Sequence, residues 1–479
     1  MEQNTSNESQ NLAKAPIISL MLKFSIPCIL SLLVSSLYNI VDQIFIGWGV
    51  GYLGNGATNV VFPITVIALA FSLMIGDGCA AFLSICQGRK DLKSAHKSVG
   101  NAVVLLTAIG VILSLLFSIF KNQILFSFGA TENNLQYALD YFNIIVIGIP
   151  FFVFSSGANS IIRADGSPKF AMLSSLIGCI VNVILDPIAI FVLHWELKGA
   201  ALATIAGQIV SAFLGIYYMS RPKTFKLSKQ SLLPDIKIIK GFIPLGISSL
   251  LTQVSIVIIM GVMNTTLVKY GAESKYGADI PMTVVGIVMK VFQIVISFVV
   301  GIAAGCQPVV GYNYGAGKFD RVKQIYKYMC VAIAVIGVIA TFMFELFPVQ
   351  IISIFGSEGE LYNEFATLSF RIYLSTILFC CLQKASSIFL QSIGKPIMAM
   401  TLSLLRDFIF IVPLVLLLPR LNDLGVIGPL FAAPVSDTAA FIVTVIMMLY
   451  VNKKLNLEKN TAVNKNHQLS NTKLDFSSD

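Results

Sequence analysis

Apolar runs long enough to cross a lipid bilayer recur along almost the whole chain. A helix needs about 20 apolar residues to cross the hydrocarbon, and twelve segments meet that length, near residues 17–47, 57–87, 99–120, 137–158, 169–193, 199–219, 240–267, 281–311, 325–347, 364–389, 398–419 and 425–451. Only 12% of the residues are charged, too few to coat a water-soluble protein of this size. The sequence therefore predicts an all-α polytopic membrane protein with about 12 transmembrane helices.

The basic residues between these segments alternate in density, which predicts the topology. One set of loops carries Arg89, Lys90, Lys93, Lys97, Arg163, Lys169, the basic residues of 221–240 and 318–327, Lys395 and the lysines of the tail. The other set carries only Lys121, Lys198, Lys269, Lys275 and Arg420. Because basic loops stay in the cytoplasm, we expect a multi-pass protein of the bacterial inner membrane with both termini cytoplasmic. Basic residues scattered in this way do not form a nucleic-acid site.

An internal repeat divides the chain into two halves. The segment Asp165–Met172 matches Ile393–Met400 at Gly, Pro, Ala and Met with a constant offset of 228 residues. Each half has an even number of spans, so both begin on the same side and a pseudo-twofold axis along the membrane normal relates them. We expect an N-terminal segment 1–15, a six-helix lobe 16–220, a cytoplasmic linker 221–239, a second six-helix lobe 240–451 and a disordered cytoplasmic tail 452–479.

Catalytic and cofactor chemistry find no support in the residues. The eight cysteines lie inside apolar runs without metal-ligand spacing, and the three histidines lie in loops or the tail with no Ser or Cys nucleophile beside them. The glycines of 311–318 resemble a phosphate-binding loop, but Phe319 stands where Ser or Thr must bind magnesium. We therefore expect no enzyme activity, no cofactor and no resident metal.

Two carboxylates deep in the first half are the strongest candidates for function, since ionisable groups are costly in hydrocarbon. Asp42 lies in the outer part of the first span, and Asp186 lies in the fifth, one helical turn after Asn182 on the same face. Pro187 removes a backbone donor and loosens the helix there. These groups predict a site for H⁺ or Na⁺, the latter held by Asp42, Asn182 and Asp186. A hydrogen-bonded clamp without an ion is the alternative.

Other ionisable residues in the spans have less certain roles on sequence alone. Asp77 either lines the same cavity or caps a break between two glycines. Lys290 either pairs with a carboxylate or extends toward the membrane surface. The adjacent Arg406 and Asp407 are read as neutralising partners across the bundle, while Glu345, Arg371 and Asp437 lie near span ends and are expected to be ordinary interfacial residues.

Several motifs in a fixed order give the chain a family resemblance over about residues 15–450. They are Pro27 with Asn39 and Asp42, Gln87-Gly88-Arg89, Arg163 to Pro168, Asn182 to Pro187, Gly199 to Thr204, Gly305 to Gly317, Gly425 to Leu430 and Pro434 to Asp437. In these motifs the chain resembles the multidrug and toxic compound extrusion (MATE) transporters, and most of all their MepA-type branch.

The resemblance implies a V-shaped pair of six-helix lobes that exports cationic drugs or dyes in exchange for H⁺ or Na⁺. It implies an ion-coupling site at Asp42, Asn182, Asp186 and Thr204, and bending of the first helix near Pro27. As further residues of the substrate cavity or its gates we select Pro27, Asn39, Gln43, Asp77, Lys290, Gln307 and Arg406.

Two functions of different classes follow. The first is secondary active efflux of small amphipathic organic cations by a monomer in the lipid bilayer, since a cavity rich in Phe and Met and holding carboxylates suits such molecules. The alternative is a flippase for a lipid-linked glycan or polyprenyl phosphate. An anionic headgroup requires a cationic cavity, whereas the first lobe offers Asp42, Asp77 and Asp186; Lys290 and Arg406 keep the alternative open.

Overall fold

The computed structural model describes residues 12–130, 132, 134–354, 359–421 and 424–475, and all regular elements within them are helical. The first half holds α1 (Ile17–Gly49), α2 (Tyr52–Arg89), α3 (Leu92–Ile119), α4 (Lys121–Ser127), α5 (Leu135–Ala164), α6 (Pro168–Val192) and α7 (Glu196–Ser220). The linker contains α8 (Lys229–Leu232). The second half holds α9 (Ile236–Ala272), α10 (Asp279–Gly315), α11 (Phe319–Leu346), α12 (Pro348–Ser353), α13 (Glu360–Tyr373), α14 (Ile377–Ser392), α15 (Pro396–Arg420) and α16 (Gly428–Asp475).

Length and apolar composition allow eleven helices in the described ranges to cross a membrane, and α13 with α14 completes a twelfth span. This span bends by 46° at residues 374–376, where the sequence predicts one continuous helix over 364–389. The side chain of Ser375 bonds back to the Ile372 carbonyl at 2.9 Å, and that of Thr376 donates to Asp437 at 3.2 Å. The Ser375 bond competes locally with the helix, and the bond from Thr376 to Asp437 of α16 holds the bend against a neighbouring helix.

Helices α6 and α15, which the repeat relates, both change to π-helical geometry in their second halves. In α6 the change follows Pro187, whose missing N–H interrupts the hydrogen-bond ladder. In α15 it covers Leu405–Ile411 and turns the adjacent side chains of Arg406 and Asp407 both into the protein. Widened turns of this kind are frequent at functional sites.

The two lobes exchange the ends of α1 and α9. The core of the first lobe is formed mainly by α2–α7 and that of the second mainly by α10–α16. Leu20 and Phe24, at the start of α1, pack in the second core, whereas Ile46 near its end packs in the first. Phe242 of α9 mirrors this by packing in the first core, while Met263 packs in the second. Both helices thus contribute to both lobes, whereas the predicted boundaries 16–220 and 240–451 assign each helix to a single lobe.

Reciprocal glycine contacts reveal the predicted pseudo-twofold axis. A Cβ atom built on Gly88 would lie 2.1 Å from the Tyr312 carbonyl oxygen, and one on Gly315 would lie 2.2 Å from that of Ile85. Both pairs are related by an offset of 227 residues. Each lobe therefore presents the same close-packed surface to the other at this point, as a twofold axis requires.

These close contacts lie in one half of the bundle, the half on the side of the linker, which we call the linker end. A Cβ on Gly246 of α9 would lie 1.7 Å from the Met74 carbonyl oxygen of α2. In the opposite half, Gly261 of α9 and Gly286 of α10 have nothing within 4 Å of such an atom. The lobes are thus packed backbone to backbone at the linker end, where only glycine permits the approach.

The linker is bound to the first lobe along its length. Asp165, fully buried after α5, accepts hydrogen bonds from the Tyr218 hydroxyl at 2.7 Å and from the backbone N–H groups of Lys223 and Thr224 at 2.8 and 2.9 Å. Asn101 of α3 donates to the Ser231 carbonyl at 3.1 Å and accepts from Asp235 N at 2.6 Å. The linker therefore belongs structurally to the first lobe.

The chain ends pack on the second lobe. The amide of Asn313 donates to the Leu12 carbonyl at 3.1 Å, so the last residues of the N-terminal segment lie against α10. Helix α16 continues to Asp475, where the sequence favours a disordered tail. Lys395 pairs with Glu458 at 3.7 Å and Asp320 with Lys459 at 2.8 Å, and these ion pairs hold the extension beside the lobe.

We predict that Gly246→Ala lowers thermal stability, because the added methyl group would overlap the Met74 carbonyl and force α9 away from α2. Overpacking of this kind costs about 1–3 kcal/mol. Gly261→Ala is the matched control on the same helix, since its methyl group meets open space. Unfolding monitored by tryptophan fluorescence in detergent measures both. Equal midpoints for the two variants would contradict close packing at the linker end.

Burial raises the pKa of Asp165 from 3.8 to about 6, against the opposing hydrogen bonds from Thr224 and Tyr218. Because the folded-state pKa of Asp165 lies above its unfolded-state pKa, protonation of Asp165 stabilises the fold. This stabilisation is fully present at pH values below the unfolded-state pKa and is lost as the pH rises through 6. Relative to Asp165→Asn, the wild-type protein should therefore gain about 1 kcal/mol as the pH falls from 7 to 5. Chemical unfolding at a series of pH values tests this, and a pH-independent difference would refute it.

Candidate functional site

Three helices of the first lobe, α1, α6 and α7, bring polar side chains together inside the bundle. The residues that meet are Asp42, Asn182, Asp186 and Thr204, which we call the carboxylate cluster. All four are buried, Asp186 completely. Asn182 and Asp186 are four residues apart on α6 and therefore lie on the same face. The structure thus unites the four residues that the family resemblance assigns to ion coupling.

The amide of Asn182 orients the cluster. With its nitrogen toward Asp186, Nδ2 donates to Asp186 Oδ2 at 3.1 Å, and the amide oxygen accepts from Thr204 N and Oγ1 at 3.1 and 3.2 Å. Asn182 therefore joins α6 to the first turns of α7 with all its near partners satisfied. This leaves the carboxylate of Asp186 directed toward α1.

Asp42 and Asp186 lie within hydrogen-bonding reach of each other. The Oδ1 atom of Asp42 is buried and, among the described residues, has no hydrogen-bond partner. No lysine or arginine within the described ranges forms an ion pair with either carboxyl group. Two carboxylates this close repel one another unless a proton or a cation lies between them. The arrangement therefore favours one positive charge on the cluster, and no basic residue of the described ranges supplies it.

Two tyrosines complete the surroundings of the cluster, and the sequence analysis did not select them. Tyr141 of α5 forms a hydrogen bond with Thr204 and lies near both carboxyl groups. Tyr38 lies one turn before Asp42 on α1, close to Asp42 and Asp186. The spacing of Tyr38 and Asp42 was available in the sequence, whereas Tyr141 comes from another helix and carries no local signal.

The other candidates on α1 lie apart from the cluster's hydrogen bonds. Pro27 is buried between the end of α1 that packs in the second core and the end that packs in the first. Asn39 is exposed, and its amide donates to the Ser35 carbonyl of its own helix at 2.6 Å. Gln43 accepts from Lys290 of the second lobe at 3.5 Å, so Lys290 is bound to an amide rather than to a carboxylate.

Asp77 occupies a separate position between the lobes. Helix α2 continues without interruption through it, so there is no break for Asp77 to cap. Its carboxylate accepts from Ser160 at 2.7 Å and from Ser249 at 2.9 Å. Gln307 donates to its backbone carbonyl at 3.4 Å.

The second lobe contains its own buried charges, and there they neutralise one another. Arg406 donates to Asp407 and to Asp437, each at 2.7 Å, and Lys384 donates to Asp407 at 3.1 Å. Two cations face two carboxylates, so the set carries no net charge. The expectation that Asp437 is an interfacial residue is wrong, because it is 2% exposed and bonded to Arg406. Glu345 and Arg371 do lie at the surface, 3.9 Å apart.

Comparison with known proteins places this geometry in a family. Residues 27–188 and 249–417 match the family model described as MatE. The multidrug export protein MepA of Staphylococcus haemolyticus (strain JCSC1435) is 25% identical over 453 residues, which cover 93% of this chain and 96% of the relative. MepA of Staphylococcus aureus (strain MSSA476) is 23% identical over 448 residues, with coverage of 93% and 96%.

Solved structures share the fold along the same length. One, described as the outward-facing conformation of a multidrug resistance MATE family transporter, superposes with a TM-score of 0.85 at 22% identity and covers 93% of this chain and 98% of its own. Another, of a MATE in the bent conformation, gives a TM-score of 0.86 at 22% identity over 94% and 99%. The MatE family model matches more than half of the residues of this chain. The chain therefore belongs to the MATE family of multidrug efflux transporters, which are membrane transporters and not enzymes.

Proposed function

We propose that the chain is a secondary active exporter of amphipathic organic cations that exchanges them for H⁺ or Na⁺. The observation that carries this proposal is the carboxylate cluster, in which Asp42 and Asp186 are within hydrogen-bonding reach and no basic side chain of the described residues pairs with either. A buried pair of this kind requires a cation from outside the protein. The MepA relatives are multidrug export proteins, which supports the same proposal.

The exchange follows from competition for the same negative charge. With a proton or Na⁺ on the pair, one of the two negative charges is compensated, and the cluster attracts an organic cation less strongly. Once the pair loses its ion, the charge of an organic cation in the cavity is favourable, and the two ligands exclude each other electrostatically. Competition between the coupling ion and the organic cation is sufficient for antiport when each of them favours a different arrangement of the lobes.

The packing of the lobes supports an assignment of sides. The lobes touch backbone to backbone at the linker end, while Gly261 and Gly286 face open space in the other half. We propose that the linker end and both termini lie in the cytoplasm of a bacterial cell and that the transporter acts as a monomer. In this arrangement the cavity opens to the outside, where the coupling ion enters.

The flippase alternative is less well supported by the same charges. An anionic headgroup would need a cation free to bind it. Arg406 is shared between Asp407 and Asp437, and Lys290 contacts Gln43. Among the described residues, the buried charges of the first lobe without an ion-pair partner are Asp42 and Asp186, which would repel a phosphate.

Gradient-driven transport tests the proposal directly. Ethidium efflux from proteoliposomes should follow an imposed H⁺ or Na⁺ gradient, applied separately, and Asp42→Asn or Asp186→Asn should reduce it to the protein-free background. Asp140→Asn removes a carboxylate of the same lobe that pairs with Lys198 at 3.4 Å, outside the cluster, and should retain most of the rate. Gradient-driven efflux by both cluster variants at the wild-type rate would sink the proposal.

Substrate binding should also displace the coupling ion at equilibrium. Adding ethidium to purified protein in weakly buffered, sodium-free solution should release up to about one proton per bound ethidium if the ion is H⁺, because one site cannot hold both charges. If the ion is Na⁺, added Na⁺ should instead weaken ethidium binding. Asp186→Asn should abolish either effect. Binding without proton release and without Na⁺ competition would exclude this cluster as the place of exchange.

A further inference from the structure

One carboxylate joins the two lobes directly. Asp77 of α2 accepts from Ser160 of its own lobe through Oδ1 at 2.7 Å and from Ser249 of α9 through Oδ2 at 2.9 Å. Throughout the described parts of the chain, no other hydrogen bond or ion pair joins an acidic side chain of one lobe's helices to a helix of the other. The Asp77–Ser249 bond lies at the linker end, where the lobes are closest.

The groups around the Asp77 carboxylate are hydrogen-bond donors and one cation. Arg163 of α5 approaches Oδ1 to 3.6 Å, and Gln391 of α14 donates to the Ser249 hydroxyl at 3.4 Å. Every side-chain contact to the Asp77 carboxylate is therefore with a donor or a cation, which suits a negative charge. Gln391 in turn fixes the acceptor side of Ser249, so that its proton points to Asp77.

The charge is present in one lobe only. A Cβ atom built on the neighbouring Gly78 would lie 2.5 Å from the Phe242 carbonyl oxygen, and one built on Gly305 would lie 2.6 Å from the Ser25 Cα atom and 2.9 Å from the Phe24 carbonyl oxygen. This correspondence, at the offset of 227 residues, places Ala304 where the first lobe has Asp77. The second lobe forms the same close packing with Ala304 at this position. The packing alone therefore does not explain why the first lobe has a carboxylate, Asp77, at the equivalent position.

Water reaches this carboxylate. The side chains of Asp77 and Arg163 are 18% and 16% exposed, whereas those of Arg406 and Asp407 are 5% and 3% exposed. If the lobes separate at the linker end, Asp77 keeps Ser160 and Arg163 at Oδ1 but loses its partner at Oδ2. That oxygen then faces the space between the lobes with a negative charge that is only partly compensated.

We propose that Asp77 and Ser249 form a latch that holds the linker end closed, and that Oδ2 of Asp77 becomes the docking point for the ammonium group of a cationic substrate when the latch opens. The docking step rests on the proposed function; the latch does not. Because Ser249 and the substrate compete for one oxygen, substrate entry stabilises the open arrangement and substrate departure allows reclosure.

A native cysteine reports on the latch. Cys306 of α10 is fully buried, and the next residue, Gln307, donates to the Asp77 backbone carbonyl of the first lobe at 3.4 Å. Its rate of modification by N-ethylmaleimide, measured in nanodiscs by peptide mass spectrometry, therefore follows opening of the linker end. Resolution by peptide is required because Cys179 and Cys330 are partly exposed in the closed arrangement.

Ser249→Ala should raise the Cys306 modification rate about tenfold, since a hydrogen bond to a charged group is lost only in the closed arrangement. Asp77→Ala should have at least the same effect. Ser160→Ala is the matched control, because it removes the bond to the other oxygen of the same carboxylate within one lobe and should change the rate less than about twofold. Equal effects of Ser249→Ala and Ser160→Ala, or no effect of either, would overturn the latch.

Ethidium binding tests the docking step in the Ser249→Ala protein, whose serine no longer competes for Oδ2. Its affinity should exceed that of the wild type severalfold, and adding Asp77→Asn should lower it about tenfold. If adding Asp77→Asn left the ethidium affinity unchanged, docking at Asp77 would be overturned. The latch would still be tested by the Cys306 modification rates. If neither protein bound ethidium, docking and the proposed substrate class would both fail, and the Cys306 rates would still decide the latch.

Discussion

A carboxylate within a membrane must be neutralised, and the two lobes of this transporter meet that requirement in opposite ways. In the second lobe Arg406 and Lys384 compensate Asp407 and Asp437 through bonds of 2.7–3.1 Å. In the first lobe Asp42 and Asp186 lie side by side without such partners in the described residues. The buried charges of one lobe are therefore balanced within the protein, whereas the buried pair of the other would be stabilised by a cation from solution.

This difference assigns distinct tasks to two halves that share a fold. A self-neutralised network that breaks on removal of one partner resists rearrangement, so the second lobe is suited to remain rigid. In the proposed exchange, the first lobe would change its charge each time an ion binds or leaves, and the hydrogen bonds around the cluster would respond. Pseudo-symmetry of the backbone thus coexists with asymmetry of function, much as Asp77 is present where the second lobe has Ala304.

How far the sequence predicts the molecule depends on the range of each interaction. The spans and the Asn182–Asp186 pair follow from local periodicity, and the family resemblance added Thr204. Tyr141 and Lys384 were missed because their partners lie on other helices, far away in sequence. The burial of Asp437 was predicted wrongly because the sequence shows only that it lies near the end of a span. Its ion pair with the buried Arg406 keeps it inside the protein. The exchange of helix ends between lobes leaves no local pattern at all.

That exchange provides the physical connection between the cluster and the lobe boundary. Helix α1 carries Asp42 near one end, inside the first lobe, and Phe24 near the other, inside the core of the second. Pro27 removes one backbone hydrogen bond just beyond Phe24, where the helix passes from one lobe to the other. A change of charge at Asp42 that shifts α1 is thus transmitted along a single element to the surface that packs at the linker end. Coupling needs no chain of side-chain contacts, because one helix is part of both the ion site and the interface.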